Sequence, residues 1–275
     1  MKSAGAEIEA LELRLLLEAI HEKSRYDFRG YSFASLKRRL GQARDRFSCA
    51  SFSELQHRVL HDPKFVPLLL PYLTVQVSEL FRDPSYFLAL RTQVLPHLRT
   101  YPSLKVWVAG CSAGEELYSL AILFREEGLE SRTIFYATDI NTEALKRAEA
   151  GIYEIERIAL FSENYRKAGG RTSLSDYYTA AYGSAKFDQT LRHRTVFSDH
   201  SLVSDSVFAE MHLVSCRNVL IYFNRELQDR AVGLFKDSLV RRGFLGIGAK
   251  ESLRFNKEAE AFSEYCRPER IYQRT

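Results

Sequence analysis

The stretch from Lys105 to Leu120 constrains the fold more than any other. An apolar run of strand length, Lys105 to Ala109, meets two glycines four apart, Gly110 and Gly114. Glu115 and Glu116 then open a helical pattern. This reads as a strand, a tight loop and a helix start. Glycine lets a backbone approach a bound molecule closely, and the first N–H groups of a helix are unpaired and electropositive. Ser112 with Glu115 three residues later matches a capping box. Many α/β folds turn on glycine for packing alone, so the loop needs partners elsewhere.

They follow in order. The helix from Glu115 stops at Gly128, the strand Thr133 to Thr138 comes next, and Asp139 stands at its end. Strand, glycine turn, helix, strand and acid make a βαβ unit of a mostly parallel sheet, with the acid placed to accept hydrogen bonds from both hydroxyls of a ribose. Capping the next helix, Thr142 to Ala150, falls to Asn141 or Thr142, which leaves Asp139 for a ligand. Further on, Cys216-Arg217-Asn218-Val219-Leu220-Ile221-Tyr222-Phe223 sits where a central strand leaves the sheet. Arg, Asn and Tyr there are costly to bury without partners and point to a site.

Ahead of this domain the pattern is helical throughout. An amphipathic helix over Ile8 to Ile20 repeats through Leu11, Leu15 and Ala19. Further helices run over Tyr31 to Arg46, Ser51 to Leu60 and Lys64 to Leu73. Residues 1–75 therefore read as an all-α domain, and 76–96 as a linker with a helix over Tyr86 to Val94. Arg82 in the linker either clamps a carboxylate or pairs with Asp83 or Glu79. Lys23, Arg25, Arg29, Lys37, Arg38, Arg39, Arg44 and Arg46 face only Asp27 and Asp45 in the same span. This suggests a basic surface that docks an acidic partner through Arg38, Arg39, Arg44 and Arg46, although a merely solvated face is the plainer reading.

After Ala150 the alternation breaks. A Tyr- and Gly-rich insertion, about 158–193, carries short antiparallel pieces such as Phe187 to Leu191. Strands at Thr195 to Ser198 and His212 to Cys216 follow, then a helix from Arg225 to Arg242 ended by Gly243, a strand from Phe244 to Ala249 and a last edge strand at Arg270 to Gln273. The net charge of +4 carries no case for nucleic acid. Four scattered cysteines lack metal-ligand spacing, so no metal is expected and a reducing, cytoplasmic setting is. The most apolar run, Phe65 to Leu73, is short and broken by two prolines, so direct membrane insertion is not expected either.

Four stretches together resemble the motifs of the CheR family of chemoreceptor methyltransferases: Ser78 to Pro84, Trp107 to Ser119, Ala137 to Asn141, and Cys216 to Phe223. The resemblance implies an all-α domain, a linker and a Rossmann-like α/β methyltransferase domain (97–275) with a small antiparallel β-subdomain. It implies S-adenosylmethionine as methyl donor, leaving S-adenosylhomocysteine, and glutamate side chains of the cytoplasmic domains of membrane chemoreceptors as acceptors. Arg82, Glu116, Asp139, Arg217 and Asn218 fall on cofactor-binding positions of the family, as do Gln76, Ser78, Ser201 and Leu202. Three of these differ from the common residue: Gln76 and Ser201 replace asparagine, and Ser78 replaces threonine. Gly248-Ala249-Lys250-Glu251-Ser252 departs from the usual Gly-His-Ser-Glu-Asn. Gly110, Gly114 and Glu116 are expected to seat the methionine end of the donor, with Arg82 and Tyr222 as catalytic residues: Arg82 neutralises a carboxylate, either the donor's own or the incoming glutamate's, and Tyr222 orients the reacting groups through its hydroxyl or is a packed aromatic; a monomer is expected. A regulatory module that binds the cofactor, or a methyltransferase for another acidic signalling protein, would fit the same residues. A dehydrogenase fits less well, because the loop lacks G-x-G-x-x-G spacing.

Overall fold

The computed structural model describes residues 4–24 and 26–275, which fall into two compact units. The helical unit holds α1 (Ala4–Lys23), α2 (Phe33–Arg46), α3 (Phe52–His61) and α4 (Phe65–Leu73), together with residues Ile221–Arg230. Its local signals are explicit. Ser51 caps α3 by accepting from the Glu54 N–H at 3.3 Å, and Glu54 returns the bond to the Ala50 N–H at 2.7 Å. On α1 the core face is Leu13, Leu16, Leu17 and Ile20. Ile8, Leu11 and Leu15 are 60, 51 and 45% exposed, so the expected stripe is inverted apart from Ala19. Leucines occupy positions 11, 13, 15, 16 and 17, and two helical stripes compete in that sequence. Among the described residues no helix is long and apolar enough to cross a membrane.

The second unit is a seven-stranded sheet with flanking helices and a separate three-stranded sheet. It opens with α5 (Pro84–Ala89), which passes through a π-helical turn, Leu90–Val94, into α6 (Leu95–Leu98). The main sheet is built from β1 (Leu104–Ala109), β2 (Thr133–Asp139), β6 (Thr195–Asp199), β7 (Met211–Cys216), β8 (Leu239–Ile247), β9 (Phe262–Cys266) and β10 (Ile271–Arg274), in the order β6-β2-β1-β7-β8-β10-β9. The pairs β6–β2, β2–β1, β1–β7 and β7–β8 are parallel, whereas β10 runs antiparallel to both β8 and β9. The helices α7 (Glu115–Glu126), α8 (Thr142–Ala150) and α9 (Ile158–Lys167) belong to this unit, as does α10 (Arg225–Ser238) from Ala231 onward. β3 (Ile152–Glu154), β4 (Tyr178–Ala181) and β5 (Ser184–Phe187) form the small antiparallel sheet in the order β3-β5-β4.

Three boundaries differ from expectation. α10 ends at Ser238 rather than Arg242, because Leu239 already pairs with Met211 in the sheet. β10 is an interior strand; β9, whose Ser263, Glu264 and Tyr265 are exposed and hide its strand character in the sequence, forms the edge. Phe187 closes β5, and Gln189–Arg192 is a 3-10 turn capped by Asp188 rather than a strand. The sheet order changes direction at β1, with β2 on one side and the later β7 on the other. Ligands bind above the carboxyl ends of strands at such switch points.

Candidate functional site

Three strands deliver the site. β1 runs out into Gly110, β2 into Asp139 and β7 into Arg217. The register Ala109↔Thr138 brings the first two level, and both the Gly110 and Cys111 N–H groups donate to the Thr138 carbonyl, at 2.8 and 2.9 Å. Asp139 then reaches across: the Ser112 N–H donates to its Oδ2 and the Asn141 N–H to its Oδ1, each at 2.9 Å. Asn141 caps α8 through Oδ1, as expected, which leaves Asp139 out of that role. Only 8% of Asp139 is exposed, and burial pushes its carboxyl above the ordinary aspartate value in spite of hydrogen bonds from Asn141, Ser112 and Gln76.

The expected capping box is not made. Gly114 is the N-cap of α7, and the Ser112 hydroxyl donates instead to Gln76 Oε1 at 2.8 Å, tying the linker to the loop. Gly110 and Gly114 have φ of +73° and +92°, and a Cβ at either position would also meet protein: Val219 Cγ2 at 2.6 Å from the first, Ala148 Cβ at 2.9 Å from the second. The glycines therefore close the loop onto the segment after β7 and onto α8.

Arg217 organises the opposite side. Its side chain is 1% exposed; it donates to Glu116 at 3.3 Å, to Asp83 at 2.7 Å and to the Arg82 carbonyl at 2.8 Å, and lies 4.2 Å over the Tyr86 ring. Glu116 also accepts from the Ser215 hydroxyl, which is 2.8 Å from Tyr86 Oη. Asp83 is thus committed to Arg217, and Arg82 makes no ion pair among the described residues; its guanidinium has one long contact, 3.5 Å to the Val77 carbonyl. Asn218 adopts a left-handed φ of 61°, and the buried Glu251 holds it by accepting its N–H at 3.1 Å and that of Gly248 at 2.6 Å. Ser201 is more peripheral. Its Oγ accepts from the Val203 and Ser204 N–H groups at 3.2 and 3.3 Å, beside the buried Leu202. Phe81, Asp83, Ser112 and Asn218 are four of the eight non-glycine residues at positive φ among the described residues. A non-glycine residue in that conformation carries strain of about 1–3 kcal/mol, and these four lie in the segments that hold the expected site residues.

Sequence reasoning missed a second anchor. Arg157 donates to the Ser78 carbonyl and to Glu115 at 3.0 Å, with its guanidinium 4.8 Å over the Phe161 ring. Glu115 is 1% exposed, and burial raises its pKa. Its Oε2, like Arg217 Nε, is buried without a hydrogen-bond partner among the described residues. No local sequence signal marks Arg157, because its partners are 42 and 79 residues away.

The helical unit holds the remaining expected residues. Tyr222 groups there, with the Arg39 guanidinium 5.6 Å from its ring centroid. Arg39 does not belong to the expected docking face: it is 6% exposed and donates to the carbonyl of Leu73 at 2.6 Å and that of Ser35 at 3.3 Å. Arg44 pairs with Glu9 and Asp45, Lys37 with Glu9, and Arg29 with Glu18 and Asp27, so three of the eight basic residues of this span are neutralised by acids, two of them by Glu9 of α1. Arg38 and Arg46 are exposed and without ion pairs among the described residues, and Arg25 lies outside them.

Comparison with known families places this geometry. Residues 76–267 match the model described as "CheR methyltransferase, SAM binding domain", and residues 11–74 match "CheR methyltransferase, all-alpha domain". The chain belongs to the CheR methyltransferase family. It is 58% identical over 265 residues to "Putative methyltransferase Cher3" of Pseudomonas putida, covering 96% of this chain and 97% of that protein. It is 32% identical over 225 residues to "Chemotaxis protein methyltransferase" of Listeria monocytogenes, covering 81 and 83%. The chain is thus an S-adenosylmethionine-dependent methyltransferase, and its site fits the cofactor. Asp139 retains acceptor capacity beyond its two backbone donors, and Glu116, held by Arg217 and still 14% exposed, offers a carboxylate that matches the ammonium of an amino-acid moiety.

Proposed function

We propose that this CheR-family enzyme esterifies glutamate side chains on the cytoplasmic helices of chemoreceptors and so tunes chemotactic adaptation. The observation that carries the reading is Arg82: a cation with no ion pair among the described residues, next in the chain to the Asp83 that Arg217 holds. A carboxylate acceptor supplies the charge Arg82 lacks. Asp139 would hold the ribose, with Gln76, Ser112 and Asn141 fixing its orientation. The Gly110 to Gly114 loop and Glu116 would seat the amino-acid end, while Ser78, Ser201, Leu202 and Asn218 line the remainder.

When bound, S-adenosylmethionine supplies an electrophilic methyl group carried on a sulfonium. An ionised glutamate is already a nucleophile, so the protein needs no general base. Its work is to align the reacting atoms and exclude water. Arg82 positions and neutralises the incoming carboxylate through its two-pronged guanidinium. The exposed Arg38 and Arg46 of α2 carry positive charge suited to steering an acidic partner.

The test is kinetic. Arg82→Ala should lower methyl transfer to a chemoreceptor cytoplasmic fragment by about 100-fold, a cost of roughly 2.7 kcal/mol, and leave S-adenosylhomocysteine affinity within about threefold, a difference of under roughly 1 kcal/mol. Undiminished transfer by the variant would remove Arg82 from the acceptor side. Cofactor binding by the wild type with no transfer to any receptor fragment would favour a regulatory module.

A further inference from the structure

The loop after β8 stands outside the site assigned so far, yet it is rooted in it. A Cβ on Gly248 would lie 2.8 Å from both the N and the Nδ2 of Asn218, so the loop leaves the sheet in contact with a residue on a cofactor-binding position. From there the side chains divide by direction. Glu251 and Leu253 are 4 and 2% exposed, whereas Lys250, Arg254 and Phe255 face solvent, Phe255 at 68%. The buried positions fix the loop: Glu251 accepts from the Gly248 and Asn218 N–H groups, and its own N–H donates to the Gly248 carbonyl at 2.8 Å. The far end is closed by the Asn256 N–H to the Leu253 carbonyl at 2.8 Å and the Glu258 N–H to Asn256 Oδ1 at 2.9 Å.

This is a held loop presenting two cations and an aromatic ring. Neither Lys250 nor Arg254 makes an ion pair among the described residues. The one acid between them, Glu251, is turned inward onto backbone amides and does not neutralise them outward. The Arg254 guanidinium lies 5.4 Å from the centre of the Phe255 ring. A large exposed aromatic flanked by unpaired cations is the composition of a recognition patch, where aromatic and arginine anchors carry most of the binding.

We propose that the loop Gly248–Asn256 is an acceptor-docking element that receives an acidic helical segment flanking the methylated glutamate. The inference rests on the glutamate-methylation reading and adds where the acceptor binds and what selects it. Phe255 would cover the apolar side of the segment, and Lys250 and Arg254 would meet its carboxylates. Because the loop is already fixed at both ends, it would pay little ordering entropy on binding.

The test uses the whole chain and two synthetic helical peptides. Each carries one acceptor glutamate; one has glutamates a helical turn on either side, the other lysines. At low salt, the double variant Lys250→Glu/Arg254→Glu should bind the acidic peptide about tenfold more weakly than wild type by fluorescence anisotropy, an effect that shrinks as salt rises. It should bind the lysine-flanked peptide better than wild type does, and Phe255→Ser should weaken both. S-adenosylhomocysteine affinity should stay unchanged in every variant. Wild-type binding of the acidic peptide by the double variant at low salt would overturn the proposal. If the wild type binds the acidic peptide through this loop but transfers no methyl group, docking stands and the glutamate reading falls. If it transfers methyl with the same KM in both variants, the glutamate reading stands and the docking loop falls.

Discussion

Replacing Arg217 by methionine tests the site's architecture most sharply, since the change keeps the length of the side chain and removes its charge. The Arg217 side chain is 1% exposed; it bridges Glu116, Asp83 and the Arg82 carbonyl and stacks on Tyr86. Removing one member of a buried ion cluster costs about 3–5 kcal/mol, chiefly because the partners are left buried and unpaired. Here water can recover part of the loss: the Asp83 side chain is 39% exposed and that of Glu116 14%. The lower end, about 3 kcal/mol, is therefore expected. For a unit of this size it corresponds to a fall of roughly 6–12 °C in Tm. Trp107 is the single tryptophan and is fully buried in β1, so its fluorescence reports unfolding of the α/β unit. Arg217→Lys should recover at most about 1 kcal/mol, because an ammonium cannot span three acceptors and also stack. A methionine variant that melts within about 2 °C of wild type would show that the cluster contributes nothing net.

Four further outcomes follow. Burial raises the Asp139 carboxyl, so affinity for S-adenosylhomocysteine should hold at neutral pH and fall as pH drops through that raised value, at a higher pH than an ordinary aspartate would give. Calorimetry across pH should show this fall in wild type and a weak, flat profile in Asp139→Asn; a flat wild-type profile would remove Asp139 as a ligand. Charge reversal at Arg38 and Arg46 should slow methylation of an acidic receptor fragment at low salt without touching stability. Arg39→Met should instead destabilise the helical unit by about 1–3 kcal/mol, because it strands the Leu73 carbonyl; the opposite assignment would reverse the account of that face. Tyr222→Phe should preserve cofactor affinity and lower kcat, and an unchanged kcat would leave Tyr222 as a packed aromatic.

What the sequence made legible was local or periodic. The glycine turn, the acid at the end of β2 and the Asn141 cap each announce themselves within a few residues, and the site follows from them. The stripe on α1 was misread because its leucines satisfy two helical faces, and only packing decides between them. The end of α10 was hidden because Leu239 and Val240 continue the apolar spacing of Val232 and Phe235, while the pairing of Leu239 with Met211 lies 28 residues back along the chain. Arg39 looked like a surface charge because composition cannot tell that a guanidinium is capping the end of α4. Arg157 was invisible for a related reason: it acts on a carbonyl and an acid 79 and 42 residues away, and nothing near it in sequence encodes the partners.

Glutamate carboxylates are the proposed methyl acceptors of this CheR-family enzyme. Incubating the full chain with methyl-labelled S-adenosylmethionine and a chemoreceptor cytoplasmic fragment, then raising the pH, tests this directly. Label on the fragment that is released as methanol by mild base, and that is absent when the acceptor glutamates are replaced by alanine, is the predicted result. Label that survives base, or that persists on the alanine fragment, would contradict it.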